Sequence, residues 1–260
     1  MLLFWIILFS LFGGVLSVAA AGSYLLFSAD VRNKTLEHLI SYAVGALLGV
    51  SFIALLPHAF DSTNEAVSSL QISVTLLCGI FIFFILEKMV LWRHHHHHPG
   101  DEEGEHLANH REKSSGVLIL LGDSIHNGVD GILIAAAFLT DFDLGVLTAL
   151  AVATHEIPQE LGDFAILLAG GMNRTKALLF NLLVSLTTVV GAVVGYFALE
   201  MSHSLLPYLL ALAAASFIYI AVADLLPNLN RKIKIKDTFS QLGLMGSGVA
   251  TIWFLEHLLH

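Results

Sequence analysis

The sequence has few charged residues and almost no cysteine. Asp, Glu, Lys and Arg make up 13% of its 260 residues, against about 25% in an ordinary soluble domain. Hydrophobic residues reach 56%. Cys78 is the only cysteine, so the chain has no internal disulfide framework, and we expect this side chain to pack as a small apolar group. The composition excludes a typical soluble domain and indicates an integral membrane protein.

Long apolar runs divide the chain into eight stretches, each close to or above the length of about 20 residues that crosses a bilayer as an α-helix. We place them near residues 1–27, 37–60, 68–92, 115–139, 144–170, 175–200, 204–228 and 238–259. Little of the chain remains outside them. The sequence therefore predicts an all-α integral membrane fold with eight transmembrane helices, forming one domain over residues 1–260. No basic residue precedes the first run, so we expect a retained helix rather than a secretory signal.

Basic residues are missing from every second loop of this eight-helix arrangement. They occur only in or beside the loops after the first, third, fifth and seventh runs, at Arg32, Lys34, Lys88, Arg93, Arg111, Lys113, Arg174, Lys176, Arg231, Lys232, Lys234 and Lys236. By the positive-inside rule these loops lie in the cytoplasm and both termini lie outside a cell membrane. No basic surface remains to meet phosphates, so the sequence gives no support for a nucleic-acid partner.

The loop over residues 93–113 is rich in histidine. It contains five consecutive histidines, His94 to His98, and two more at His106 and His110, with acidic residues between them. Its Pro, Gly and charge content predicts disorder. Neutral imidazoles and carboxylates are suitable ligands for divalent metals. The loop is predicted either to capture or sense metal in the cytoplasm or to serve as a solubilising linker.

Two polar stretches interrupt the fourth and fifth apolar runs. They are HNGVDG, from His126 to Gly131, and HEIPQE, from His155 to Glu160. At about 100° per residue the polar side chains of each stretch share one face of a helix. The two helices are joined by a short turn, so the stretches can meet at one depth. Their candidate metal ligands are His126, Asn127, Asp130, His155, Glu156, Gln159 and Glu160.

Ionisable groups in this position need a partner. Each costs roughly 2.5 to 3.5 kcal/mol near the bilayer centre, so a cluster of them requires mutual pairing or a cation. Imidazole with carboxylate favours zinc, ferrous iron or manganese over magnesium, calcium or cuprous copper. The alternative without a metal is a set of hydrogen bonds that holds the helices together.

Three functions would use such a cluster. The leading prediction is a secondary transporter with divalent metal as substrate rather than cofactor, because no GxxxxGK[ST] nucleotide motif is present. An intramembrane zinc enzyme is less favoured because HEIPQ has Gln159 where the HExxH motif has its second histidine. A non-transporting metal receptor would bind metal without an open path.

A short repeat relates the second and seventh runs. The former ends in ALLPHAF, Ala54 to Phe60, and the latter in ADLLPNL, Ala223 to Leu229. Because these runs cross the membrane in opposite directions, the match favours inverted repeats of helices one to three and six to eight. Coincidence in a leucine-rich sequence is the alternative.

At these residues the chain resembles the ZIP (Zrt/Irt-like) family of zinc and iron permeases, in the subgroup whose fifth helix reads HEIPHE. Four segments resemble the family in the family's order: FFILEK (83–88), GDSIHNGVDGILIAAAF (122–138), HEIPQELGDFAILL (155–168) and FIYIAVADLLP (217–227). The resemblance implies a three-plus-two-plus-three inverted-repeat bundle, often a homodimer, that moves zinc, and also iron, manganese or cadmium, into the cytoplasm.

The resemblance also implies ligand roles for individual positions. It assigns them to His126, Asn127, Asp130, His155 and Glu156. Gln159 stands where the subgroup has histidine. This departure replaces a strong ligand with a weak neutral one and leaves the coordination, the metal preference and the number of ions open, with Glu160 or Asp163 as the candidate replacement.

Overall fold

The computed structural model describes residues 1–24, 29–61, 67–95, 105–169, 171–229 and 235–259. Within these ranges the chain forms helices and no strand. The first four are α1 (Leu2–Tyr24), α2 (Ala29–Gly49, continued as a π-helical segment Val50–Leu55 and an α-helical segment Leu56–Asp61), α3 (Ser69–His95) and α4 (Glu105–Thr140). An all-helical chain is what a bilayer requires, since each backbone group is satisfied within its own segment.

Four more helices complete the described chain. They are α5 (Phe142–Ala169), α6 (Arg174–Glu200), α7 (Leu206–Tyr219, continued as a π-helical segment Ile220–Leu225 and an α-helical segment Leu226–Leu229) and α8 (Ile235–Leu259). The predicted fold of eight helices is confirmed. Among the described residues, five stretches are long and apolar enough to cross a membrane, namely Leu2–Ser23, Thr35–Asp61, Ser69–Leu86, Arg174–Glu200 and His203–Leu225.

Two helices begin earlier than predicted. Helix α2 starts at Ala29 rather than near 37, and α4 starts at Glu105 rather than near 115. Apolar runs mark the part of a helix that can be buried in lipid, whereas helical hydrogen bonding continues into polar sequence rich in good helix formers. Part of the 93–113 loop is therefore helical, which corrects the expectation of disorder there, and its residues 96–104 lie outside the described residues.

The helices pack as two groups. In the first helix group, α4 packs most extensively on α6, and α1 packs on both α5 and α6. In the second helix group, α2 packs on α8 and α3 packs on α7. Exchanging α1–α3 with α6–α8, and α4 with α5, converts the α4–α6 pairing into α1–α5 and the α2–α8 pairing into α3–α7, and it leaves the α1–α6 pairing unchanged. The packing therefore agrees with the predicted inverted repeat, and the π-helical segments that precede Leu56 and Leu226 match in the same exchange.

The turn between α4 and α5 is fixed by one carboxylate. Asp141 Oδ1 accepts hydrogen bonds from the backbone amides of Asp143 and Leu144, both at 2.9 Å. These amides belong to the first turn of α5, where no helical carbonyl can reach them. The cap starts α5 directly after α4 and holds the two polar stripes antiparallel and adjacent.

Glycines bring α4 and α6 into backbone contact. A Cβ added to Gly131 would collide with the carbonyl of Thr188, and one added to Gly191 would collide with the carbonyl of Gly128. Small residues allow this approach, which membrane helices use in place of hydrophobic association. Gly131 therefore has a packing role in this contact. A Cβ on Gly128 or Gly162 would meet nothing within 4 Å, so at those two positions there is room beside the helix.

Substitution of Gly131 by alanine should destabilise the protein. The added methyl group meets backbone rather than a movable side chain, and overpacking of this kind costs about 1–3 kcal/mol. We expect a lower midpoint in thermal unfolding followed by circular dichroism in detergent. Gly128→Ala lies one turn away on the same helix and enters open space, so it should unfold within error of the unaltered chain. Equal midpoints for the two variants would contradict this account of the α4–α6 contact.

Candidate metal centre

Helices α4 and α5 each bury a polar face in the bundle. On α4, Asn127 and Asp130 are 0% exposed. On α5, His155 and Glu156 are 1% and 2% exposed. Such burial without compensation is costly for carboxylates. The two faces must therefore satisfy each other or a bound ion.

Four side chains converge on one point between the two helices. One ligand atom from each of His126, Asp130, His155 and Glu156 lies within 4.8 Å of the other three. We call these residues the four-residue group. The imidazole Nε2 atoms of His126 and His155 are 3.3 Å apart. Asp130 Oδ2 lies 3.1 Å from Nε2 of His155 and 3.6 Å from Nε2 of His126.

Glu156 is the fourth member of the group. Glu156 Oε1 lies 3.8 Å from Nε2 of His155 and 3.9 Å from Nε2 of His126. His126 is the only partly exposed member, with 22% of its side chain accessible. The group is thus enclosed by protein but open at one ligand, as a site needs to be if an ion is to enter it.

The second ring nitrogen of His155, Nδ1, lies against a backbone carbonyl. Nδ1 lies 3.2 Å from the carbonyl oxygen of Ala151, which can only accept a hydrogen bond. In the tautomer that donates Nδ1–H to this carbonyl, Nε2 presents a lone pair to the cluster. A backbone carbonyl behind a histidine is a common way to orient a metal-binding imidazole.

The carboxylates of the cluster have no hydrogen-bond donors. Both oxygens of Asp130 and both oxygens of Glu156 are buried and without a hydrogen-bond partner in the described part of the chain. One hydrogen bond at 3.3 Å joins Nε2 of His126 and Nε2 of His155, and Asp130 Oδ2 and Glu156 Oε1 lie 3.1–3.9 Å from these two nitrogens. This arrangement repels itself unless a cation or added protons lie at its centre. The donor set suits a borderline divalent metal.

The two amide residues of the predicted set, Asn127 and Gln159, lie beside the group, and both donate a hydrogen bond to Asp123. Asn127 Oδ1 accepts a 2.7 Å hydrogen bond from Thr188 of α6, and its Nδ2 donates to Asp123 Oδ1 at 3.0 Å. Gln159 Nε2 donates to the same oxygen of Asp123 at 2.7 Å. The amide nitrogen of Gln159 therefore binds Asp123. It does not take the ligand position of the histidine that Gln159 replaces.

Glu160 is directed at α6. Its Oε1 accepts a 2.8 Å hydrogen bond from Ser185, and its backbone carbonyl accepts one from Asn181 at 3.2 Å. Its Oε2 is buried without a partner. This residue links α5 to α6 and leaves one carboxylate oxygen for another ligand.

The structure thus brings together four of the seven predicted ligands and places the other three around them. The ligand roles themselves stay a prediction. Sequence reasoning missed Asp123, Ser185 and Thr188. The signal for Asp123 was present, because it lies three residues before His126 and so on the same helical face. Nothing in the sequence marked Ser185 or Thr188, since isolated hydroxyl residues are common in membrane helices.

The fold and the buried cluster define a helical membrane protein with a site of metal-binding character. Residues 1–256 match the sequence profile of a known family, described as ZIP zinc transporter. The chain belongs to this family, whose members are transporters rather than enzymes. The metalloenzyme alternative is therefore set aside.

Curated relatives carry the same family name. The chain is 31% identical over 271 residues to the zinc transporter ZIP13 homolog of Drosophila melanogaster, covering 84% of this chain and 76% of that protein. It is 33% identical over 230 residues to zinc transporter ZIP13 of Pongo abelii, covering 84% and 66%. It is 30% identical over 262 residues to zinc transporter ZIP13 of Mus musculus, covering 89% and 73%.

Zinc should stabilise the purified protein through the four-residue group. A ligand that binds only the folded state at 100 times its Kd adds about 2.7 kcal/mol, so zinc should raise the unfolding midpoint in detergent. To remove the contribution of the loop, the measurement uses a background with His94 to His98 replaced by glutamine. Asp130→Asn should abolish most of the rise, because it removes a buried charge at the centre of the cluster. Asp143→Asn, at the α4–α5 turn, should keep it. An undiminished rise in Asp130→Asn would argue against zinc at this position.

Proposed function

We propose that this protein carries zinc, and with it iron, manganese or cadmium, across a membrane into the cytoplasm, binding each ion in transit at the four-residue group. The observation that carries the proposal is the convergence of two imidazoles and two unpartnered carboxylates inside the bundle. Two carboxylates balance one divalent charge, and neutral imidazoles add ligands without adding charge. An ion can therefore leave most of its water without leaving an unbalanced charge in the bilayer.

The position of the group between the two helix groups supports transport rather than static binding. Its ligands all lie on α4 and α5 of the first helix group. The ring of His155 lies beside the ring of Phe217 on α7 of the second helix group, with centroids 5.9 Å apart. A shift of the first helix group against the second would uncover the ligands on one side of the membrane and then on the other, as alternating access requires.

The direction follows from the charge pattern of the loops. By the positive-inside rule, the basic residues beside every second loop support a cytoplasmic position for those loops, including the histidine-rich 93–113 segment, and a position outside a cell membrane for both termini. The histidines of that segment would then meet ions as they arrive inside. The lipid bilayer is the surrounding partner, and the family resemblance extends the proposal to a homodimer.

Zinc uptake should depend on the buried ligands. The protein is reconstituted in liposomes with a trapped fluorescent indicator, and zinc, iron, manganese and cadmium are added outside in turn. His155→Ala and Glu156→Ala should each lower the initial rate by more than the roughly 10- to 100-fold that loss of an outer-shell partner costs. His203→Ala, which removes an exposed histidine in the turn before α7, is the matched control and should retain uptake.

The same assay distinguishes a transporter from the remaining alternative, a non-transporting metal receptor. Unaltered protein that binds metal but takes up none of the four ions would support a non-transporting receptor and refute the transporter. Equal rates in His155→Ala and the unaltered chain would refute the assigned ligands while leaving transport itself in place.

Uptake should weaken as the external pH falls. Metal binds the deprotonated forms of carboxylate and imidazole, so protons compete with it for the same atoms. Over the range from about pH 8 to pH 5, where histidine changes charge, the initial rate at subsaturating zinc should decline steadily, while saturating zinc should recover part of it. A rate that stays flat over this range, with zinc speciation held constant, would count against these ligands.

A further inference from the structure

A second acidic feature lies beside the four-residue group and takes no part in it. Asp123 precedes His126 by three residues on α4, and Asp163 follows Glu156 by seven residues on α5. Because the two helices are antiparallel, both aspartates are displaced in the same direction, by about 5 and 10 Å at 1.5 Å per residue. We call these two residues the inner aspartate pair. On the orientation proposed above, they lie on the cytoplasmic side of the four-residue group.

One carboxylate oxygen of Asp123 accepts two hydrogen bonds and the other accepts none. Its Oδ1 accepts hydrogen bonds from the amide nitrogens of both Asn127 and Gln159. Its Oδ2 is buried and has no hydrogen-bond partner in the described part of the chain, and the residue is only 6% exposed. Both donors lie on Oδ1, so Oδ2 remains a buried acceptor that a proton or a cation could satisfy.

The neighbour of this carboxylate is a second acidic residue, Asp163. Its carboxyl group neighbours that of Asp123, and the residue is partly exposed. The nearby Glu160 adds another buried oxygen without a partner, Oε2. Neighbouring carboxylates in a low-dielectric interior repel strongly. They remain together only by sharing a proton or by holding a cation.

The ligand chemistry of the pair differs from that of the four-residue group. It offers carboxylate oxygens and no imidazole, a set that suits manganese and other hard ions and binds zinc less strongly than nitrogen does. Two side chains cannot complete a coordination shell, so an ion at the pair would keep part of its water. The partial exposure of Asp163 provides access to that water.

We propose that Asp123 and Asp163 form a second, all-oxygen cation site that receives a partly hydrated divalent ion after it leaves the four-residue group. This inference rests on the proposed transport function. A weaker site next to a stronger one lets an ion leave in steps, since conduction requires sites weak enough to release what they bind. The amide of Gln159 contributes by fixing Asp123 at the pair. This chain can make that contact because it has glutamine where the HEIPHE sequence has its second histidine.

Binding is tested first, without reference to transport. Manganese is added to detergent-purified protein in which His94 to His98, His106 and His110 are replaced by glutamine and His126 and His155 by alanine, and bound ion is counted from the loss of the free-ion EPR signal. We expect about one manganese per chain to remain. Asp163→Asn in this background should release it, and Asp163→Glu should restore it. Asp143→Asn is the matched control and should leave it in place.

Transport is tested second, in the liposome assay with the natural loop and four-residue group. Asp163→Asn should lower the maximal rate of zinc uptake by about 10-fold or more with little change in KM, because the first binding step is intact. Asp163→Glu should recover most of the rate, and Asp143→Asn should retain it.

The outcomes are distinguishable. Manganese that is absent, or that remains in Asp163→Asn, overturns the site and leaves a shared proton as the explanation of the pair. Binding that depends on Asp163 with an unchanged zinc rate overturns its place on the path. Unaltered protein that binds manganese at the pair but transports nothing refutes the proposed function and, with it, the role in release, while the binding result stands.

Discussion

Unbalanced negative charge inside the helical bundle is the constraint on which the rest of this structure depends. Asp130 and Glu156 are buried to 2% exposure or less, and their four carboxylate oxygens lack hydrogen-bond donors. His155 brings a further nitrogen to the same point, because Nδ1 can donate to the backbone carbonyl of Ala151 and leave Nε2 as an acceptor. Hydrogen bonds alone would give a bundle with paired donors and acceptors. A cluster of acceptors is stable only with a cation or protons, which is the physical basis for binding a divalent metal there.

The surrounding contacts hold this cluster within the first helix group. Asn127 and Glu160 are tied to α6 through Thr188 and Ser185, and Gly131 lets α6 approach so closely that these hydroxyls can reach. The ligands are thus fixed within the first helix group. Contacts with the second helix group are less extensive. Rigid support within one group and a looser boundary with the other is the arrangement expected of a site that moves as a unit.

Much of the fold could be read from hydrophobicity, because a bilayer allows few alternatives. Eight apolar runs gave eight helices, and the Leu-Leu-Pro match between the second and seventh runs proved to sit after equivalent π-helical segments. Helix ends were less accurate. Glu105 and the residues after it are polar, so an apolar pattern could not place them in α4, although helix formation continues well outside lipid.

The sequence by itself determined the class of protein and the polar faces on which the four converging side chains lie, because helical periodicity places His126 with Asp130, and His155 with Glu156, on the polar faces of adjacent helices. Only the tertiary structure decided what surrounds them. Whether Gln159 joins the cluster or turns to Asp123, and whether Glu160 faces an ion or Ser185, depends on side-chain directions and on α6, whose hydroxyl residues carry no periodic signal. Local spacing fixes the face on which a residue lies, whereas the choice between a metal and a neighbouring donor is made by contacts between segments far apart in the chain.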